Sequence, residues 1–421
     1  MSPVPMRGMR DLLPKEVELR HSVINTIRAV YQSYGFTEIE TPVVERAELL
    51  NTGEGGDNEK QIFGVLRRGL DIEEVKNIES LQDLVDGGLR FDLTVPLARY
   101  YANNQANLPS PFKALQIGNV FRAERPQKGR YRQFTQCDID VIGETSSLVE
   151  RELALATSEA LLKIGFSDFT IRLNDRRILK GIVEACGFTP SEFDLVFIII
   201  DKLDKIALDG VAAELDERTT NDEAVTKLVD FLRRAASADV DPFAELPAMI
   251  DTAAITDLQS IINDLNEQAD GNFVVRFDPT LVRGMGYYTG PIFEIEDKDF
   301  PSSIAAGGRY DRMIGKYTGT PVPACGFSIG FERVIALLEE RGATVSEAKE
   351  KKVIIYTPEI VSVRTVLKLA KEARATGETV LVQSRKKNTK KQLDDLTSLG
   401  YTAFCLLEAS DSPLQFKDLT K

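Results

Sequence analysis

One histidine, His21, stands among 421 residues, and it falls in an amphipathic helical pattern running from Val17 to Tyr34. Catalytic triads, imidazole acid–base relays and histidine-ligated metals are therefore nearly excluded. His21 itself reads as a surface or packing residue. The four cysteines, Cys137, Cys186, Cys325 and Cys405, lie far apart with no Cys-x-x-Cys spacing. That argues against a disulfide framework or a zinc site and for reduced thiols. No run of about 18 apolar residues occurs, so no membrane span is expected. The opening residues, Met-Ser-Pro-Val-Pro-Met-Arg-Gly, lack the apolar core of a secretion signal, and a cytoplasmic location is expected. Any chemistry must run on arginines, carboxylates and bound ions.

What is present is an ordinary globular composition, 43% hydrophobic and 28% charged, over a length that suits two to three domains. Charge is unevenly spread. Residues 351–421 hold 13 Lys plus Arg against 8 Asp plus Glu, a net of +5, which places −18 of the total −13 on residues 1–350. An acidic body with a basic tail suggests that the tail meets a polyanion. An excess of this size also arises by chance, so charge alone does not decide.

The most informative stretch is 121–140. Five arginines and lysines fall between Arg122 and Arg132 around a Pro-Gln-Lys-Gly turn. The flanks Leu115–Phe121 and Tyr131–Ile142 have the β-branched and apolar content of strands, so a hairpin with a cationic loop is expected. Arg122, Glu124, Gln136 and Asp140 share the parity that places side chains on one face of such a hairpin. Arginine offers a planar fork to phosphate and carboxylate. A solvated charged hairpin would look similar, but a charged set on one strand face in a chain that must bury a core has the character of a site.

Elsewhere, the pattern predicts a helix over 15–35 and a strand over 36–44 bent by Pro42. A strand over 89–95 should lead into a helix from Pro96 towards Asn103. A helix over 147–164 and a strand over 169–173 follow. Residues 190–270 read as a helix-rich insertion. Strands resume at 273–277 and 287–295, Ala305–Asp311 reads as a turn, and Cys325–Ser328 leads into a helix ending near Leu338. Residues 339–351 read as a linker. Strand–helix alternation in 352–421 indicates a small, largely parallel α/β domain.

Three segments resemble the signature motifs of the class II aminoacyl-tRNA synthetases. These are Gly35–Glu45 with its proline, the Phe-Arg-x-Glu hairpin Phe121–Phe134, and Gly326–Arg333. Two more, Leu281–Gly290 (Leu-Val-Arg-Gly-Met-Gly-Tyr-Tyr-Thr-Gly) and Ala305–Asp311 (Ala-Ala-Gly-Gly-Arg-Tyr-Asp), resemble the signatures of the histidyl-tRNA synthetases. Met285-Gly286 stands where that family usually has Leu-Asp. Five segments in order, with a trailing α/β domain, carry the resemblance across essentially the whole chain.

The resemblance implies an α+β protein. Residues 1–338 would be a class II synthetase catalytic domain with a central antiparallel sheet and the helical insertion. Residues 352–421 would be a C-terminal α/β anticodon-binding domain. It implies histidine–tRNA ligase activity with ATP and Mg2+, L-histidine and tRNA(His) as partners, a homodimer formed through the first motif, and no metal cage built from protein alone. By resemblance, Arg122 holds the α-phosphate and the substrate carboxylate, Glu124 reads the adenine, Phe134 stacks on it, and Arg333 contacts the γ-phosphate and the other adenine face. Arg283 acts at the α-phosphate. Asp140 and Tyr288 take the imidazole nitrogens. Asp92 and Thr94, with Gln136 and Tyr287, surround the α-amino group. Arg385, Lys386 and Lys387 head the densest cationic cluster of the tail and are candidates for tRNA contact. The chemistry agrees. A carboxylate attacking the α-phosphorus of ATP is already a nucleophile, so cations and positioning are needed and histidine is not. The rival is a catalytically silent synthetase-like regulatory subunit of ATP phosphoribosyltransferase. Such paralogues typically lose the arginines of the ATP site and the tail domain, and this sequence has both. A synthetase for proline, threonine or glycine shares the three class motifs but not the paired tyrosines.

Overall fold

The computed structural model describes residues 3–51, 61–126, 130–235, 241–283, 288–300, 302–343, 350–409 and 413–419. The chain divides into two compact units, Met1–Ala343 and Thr344–Lys421.

The larger unit is α+β and is built on an eight-stranded sheet. Its order is Thr37–Glu38, Phe112–Phe121, Gln133–Ile142, Ala324–Ile329, Ser303–Arg309, Pro291–Glu296, Phe169–Asp175 and Phe273–Phe277. The six central strands are antiparallel. The two outer strands run parallel to their neighbours.

The two sides of the sheet follow from residue parity. Along Gln133–Ile142, Cys137, Ile139 and Val141 join Leu115 in the main buried cluster, with Ile27 and Val30 of helix Pro14–Ser33 and Leu153 and Ala160 of helix Leu148–Lys163. Each such aliphatic side chain contributes roughly 1.5–3 kcal/mol when fully buried. The intervening residues Gln136, Asp138 and Asp140 point to the opposite side, where the alternation rule places them.

Several local expectations differ from the structure. Ala305–Asp311 is not a turn. Ser303–Arg309 is a central strand, because its small residues allow close pairing on both edges. The 89–95 strand lies earlier, at Val85–Leu89, and the helix begins at Thr94 rather than Pro96. The reason is Asp92, whose Oδ1 accepts the Val95 N–H at 3.1 Å and so satisfies an open donor of the helix start. The 36–44 segment gives only the two-residue strand Thr37–Glu38 before a separate short strand, Val44–Arg46. The strand expected from 287 begins at Pro291. The helices between Arg176 and Glu267 connect the parallel strands Phe169–Asp175 and Phe273–Phe277, and their apolar residues enter the same buried cluster as the sheet.

In the second unit, Lys351–Tyr356 pairs in parallel with Thr379–Ser384 and Ala403–Leu407, and Lys417–Asp418 closes one edge antiparallel. Helix Val363–Ala375 packs Val366 and Ala370 with Ile354 and Leu407. Helix Thr389–Ser398 packs Leu396 with Val353 and Ile355, the alternate residues of the same strand. Each sheet face thus has its own helix.

Candidate active site

Register lines up one row of residues across the polar face. Gln116 lies opposite Asp138, Asp138 opposite Ser328, Ser328 opposite Ala306, Ala306 opposite Glu294, and Glu294 opposite Arg172. The next row reads Ala114, Asp140, Gly326, Gly308, Ile292 and Asn174. Charge of both signs is thus spread across the face, with Asp138 and Asp140 towards one end and Glu294 beside Arg172 towards the other.

Asp140 is buried and accepts a 2.5 Å hydrogen bond from the Tyr310 hydroxyl. Burial pushes its carboxyl up to about 7, against the Tyr310 hydrogen bond and with help from the charge of Asp92. Two glycines make its surroundings. A Cβ on Gly326 would collide with Asp140 Oδ1, and one on Gly308 would come within 2.9 Å of Tyr288 Cδ1. The bare backbone of these two residues gives Asp140 and the Tyr288 ring room to lie against the sheet. Asp92 is also pushed up by burial, opposed by the Val95 N–H and by Arg122. Gln116 Nε2 donates to Leu93 O at 3.0 Å and ties the turn that carries Asp92 and Thr94 to the sheet.

The cations come from three segments, the hairpin, the stretch at Arg283 and the helix Phe331–Glu340. Arg122 Nε donates to Phe91 O at 3.0 Å, and its guanidinium lies 5.1 Å from the centre of the Phe134 ring. Arg333 Nη1 donates to Ser303 O at 2.5 Å. Burial lowers the Arg333 pKa, and the charges of Arg130, Arg283 and Arg122 lower it further. These four arginines therefore share one field. Arg283 pairs with Glu294, which is only 2% exposed. Burial disfavours the Arg283 charge, but Glu294 outweighs it and raises the pKa. Glu124 is half-buried on the hairpin, 4.0 Å from Arg130.

Behind these groups lies a second layer of hydrogen bonds. Arg20 grips Glu332 with both terminal nitrogens, at 2.7 and 2.6 Å, and donates to Thr135 Oγ1 at 3.1 Å. The Thr135 N–H donates to Glu332 at 3.2 Å. The first helix, the hairpin and the helix that carries Arg333 are fixed together at that point. The Arg132 N–H donates to Gly8 O at 2.8 Å, so the N-terminal segment straps the hairpin.

The structure thus brings Asp92, Thr94, Arg122, Gln136, Asp140, Tyr288, Arg283 and Arg333 to one side of one sheet, with Phe134 under Arg122 and Glu124 at the hairpin. Tyr287 and Met285-Gly286 lie outside the described residues, as do residues 127–129 of the hairpin loop.

The histidyl-tRNA synthetase family model matches residues 8–334. A histidine–tRNA ligase of Leifsonia xyli subsp. xyli is 47% identical over 100% of this chain and 99% of its own length. The chain belongs to the histidyl-tRNA synthetase family. It is a histidine–tRNA ligase of the class II synthetase fold. A probable histidine–tRNA ligase of Tropheryma whipplei is 40% identical, covering 98% of this chain and 97% of its own. The crystal structure of histidyl-tRNA synthetase from Nostoc sp. PCC 7120 superposes with a TM-score of 0.79 at 30% identity, covering 100% of this chain and 95% of that one. An ATP phosphoribosyltransferase regulatory subunit/histidyl-tRNA synthetase from Bacillus halodurans C gives 0.74 at 22% identity, over 97% of this chain and 99% of that one, a likeness of fold alone.

Sequence reasoning missed several residues that the structure adds to this candidate site. Asp138 carries the same parity signal as Gln136 and Asp140. Tyr310 stands inside a quoted motif, and alternation along Pro291–Glu296 separates Glu294 from its apolar neighbours. Arg20 gave no signal, because its partner lies 312 residues away.

Proposed function

We propose that histidine and ATP meet on the polar face of the larger unit, and that the residues named above divide the work. Asp140 and Tyr288, both seated over the two glycines, take the two imidazole nitrogens. Asp92, Thr94, Gln136 and Tyr287 surround the α-ammonium. Arg122 draws the substrate carboxylate to the α-phosphate, Arg283 faces charge developing on that phosphate, and Arg333 takes the γ-phosphate. Glu124 reads the adenine, which inserts between Phe134 and Arg333. The observation that carries this reading is the shared field of Arg122, Arg130, Arg283 and Arg333 beside a buried aspartate on the same sheet face. Cations fixed in place before reaction stabilise phosphoryl charge without reorganising. A paired polar site rejects side chains that leave its groups unpaired.

Among the described residues, no group of three histidines, cysteines, aspartates or glutamates could hold a metal ion. Mg2+ would come as part of the nucleotide substrate, adding positive charge at the phosphates, while the arginines provide the protein's share. Transfer of histidine to the terminal ribose of tRNA(His) follows. In the second unit, Arg385, Lys386, Lys387, Lys390 and Lys391 are exposed at the entry of helix Thr389–Ser398. Cations at a helix start oppose its dipole, so their concentration there favours an anionic partner. This unit would hold the tRNA, a homodimer would form through the Gly35–Glu45 segment, and the cytoplasm would be the site of action. No helix among the described residues is long and apolar enough to cross a membrane.

Histidine-dependent ATP–pyrophosphate exchange on the purified chain is the test. Exchange with histidine and with no other amino acid is the expected result. Its complete absence would return the regulatory-subunit reading.

A further inference from the structure

Two acceptor atoms on the polar face have no donor. Asp138 Oδ1 and Gln136 Oε1 are both shielded from solvent and neither has a hydrogen-bond partner. Asp138 as a residue is only 4% exposed. Its other oxygen, Oδ2, accepts from Gln136 Nε2 at 3.4 Å, and that nitrogen also donates to Ser328 Oγ at 3.1 Å. Gln116, opposite Asp138 in the sheet, is committed elsewhere, to Leu93 O and to the Thr41 hydroxyl. The protein thus sets a buried carboxyl beside a half-buried amide and leaves one shielded acceptor of each open. Unsatisfied buried acceptors of this kind are expensive and rare.

A component that donates two hydrogen bonds from one small centre would satisfy both acceptors, and positive charge would complement the carboxyl. A primary ammonium does both, with three donors on one nitrogen. We propose that Asp138 is a specificity-determining residue that contacts the substrate, its Oδ1 receiving the α-ammonium of the bound amino acid together with Gln136 Oε1. The inference rests on the histidine site proposed above and adds a carboxylate to it. Asp140, one row away, is engaged by Tyr310 and lies over Gly326, so the two aspartates serve opposite ends of the ligand. Burial, with the adjacent Asp140, pushes the Asp138 carboxyl well above the ordinary range. Such a group becomes a carboxylate most readily when a cation is seated against it.

The test compares histidine with imidazolepropionate, the same molecule without its amine. In the full-length protein, Asp138→Asn should raise the KM for histidine in pyrophosphate exchange about tenfold or more, the scale of a hydrogen bond to a charged group. The KM for ATP should stay within twofold, and so should the inhibition constant of imidazolepropionate. The decisive number is the ratio of histidine KM to imidazolepropionate Ki, which does not depend on the active fraction. Asp138→Ser gives the same ratio test if the asparagine variant folds poorly. A ratio that stays at the wild-type value, whether both constants hold or both rise together, overturns the proposal. Wild-type protein without histidine-dependent exchange would instead remove the reading of the whole site.

Discussion

Arg283 reaches Glu294 with two nitrogens, Nη2 to Oε1 at 2.5 Å and Nε to Oε2 at 3.3 Å. The carboxylate is buried, while the Arg283 side chain is 41% exposed. Glu294 is thus a fixed foot that holds a reachable cation at the edge of the polar face.

Arg283→Ala should slow adenylate formation by about 10² or more and leave histidine binding nearly intact, because a cation aimed at developing phosphoryl charge acts chiefly in the transition state. It also leaves the buried Glu294 to the longer pair with Arg172, 4.0 Å away. The double variant Arg283→Ala with Glu294→Gln should recover stability and not activity. Single-turnover adenylation within about fivefold of wild type contradicts this role.

Asp140→Asn should weaken histidine binding by roughly 1–3 kcal/mol, the penalty for a buried partner left poorly paired. ATP affinity should hardly move. Parallel losses for ATP and histidine, measured by calorimetry, would show that Asp140 supports the fold rather than the ligand.

Asp140 also predicts a pH dependence of stability. Its carboxyl lies near 7 in the folded chain, against about 3.9 when unfolded. Between those values the folded state holds a proton that the unfolded state has released. This group's contribution to stability is therefore full at the acid end and is lost as pH rises to about 7. Asp138 is pushed up as well and titrates together with it. Denaturant unfolding of the ligand-free protein from pH 4 to 8 should show a smaller fall in Asp140→Asn than in wild type. Equal slopes would mean that Asp140 holds no such proton.

Arg20→Ala should destabilise the larger unit by roughly 2–4 kcal/mol, a little under the cost of an unpaired buried charge, since it leaves the buried Glu332 only Arg10, at 3.5 Å, and the Thr135 N–H. Both side chains are 8% exposed. Glu332→Gln, which keeps the acceptor for Thr135, should be milder. Unfolding midpoints decide between them, and equal losses would point to the charge of Glu332 as irrelevant.

Removing residues 344–421 should leave pyrophosphate exchange measurable and abolish efficient charging of tRNA. Neutralising Lys386, Lys387 and Lys390 should flatten the dependence of tRNA affinity on salt, because fewer counterions are then released. The support beneath them should persist. Gln392 accepts the Lys386 N–H at 2.9 Å and donates to Ser384 O at 3.0 Å. An unchanged salt slope removes the cluster from the tRNA interface.

The hairpin was the most legible part of the fold. Its alternation of Gln136 and Asp140 with Cys137, Ile139 and Val141 states both faces at once, and local spacing was enough. Ala305–Asp311 misled, because paired glycines mimic a turn, whereas here they serve close strand pairing and room for neighbours. The Asp92 segment misled because a side-chain cap starts a helix where apolar residues suggest a strand. Tyr310 with Asp140 and Arg20 with Glu332 were beyond local pattern. Their partners are separated by 170 and 312 residues, and only the assembled sheet brings them together.

The joint behind the site has a mechanical meaning. Arg20, Thr135 and Glu332 clamp the first helix, the hairpin and the helix of Arg333 at one point. The span between Arg122 on the hairpin and Arg333 on its helix is therefore set by a joint rather than by a spring. A ligand that reaches both cations meets a spacing fixed in advance, and its binding spends little on drawing them together.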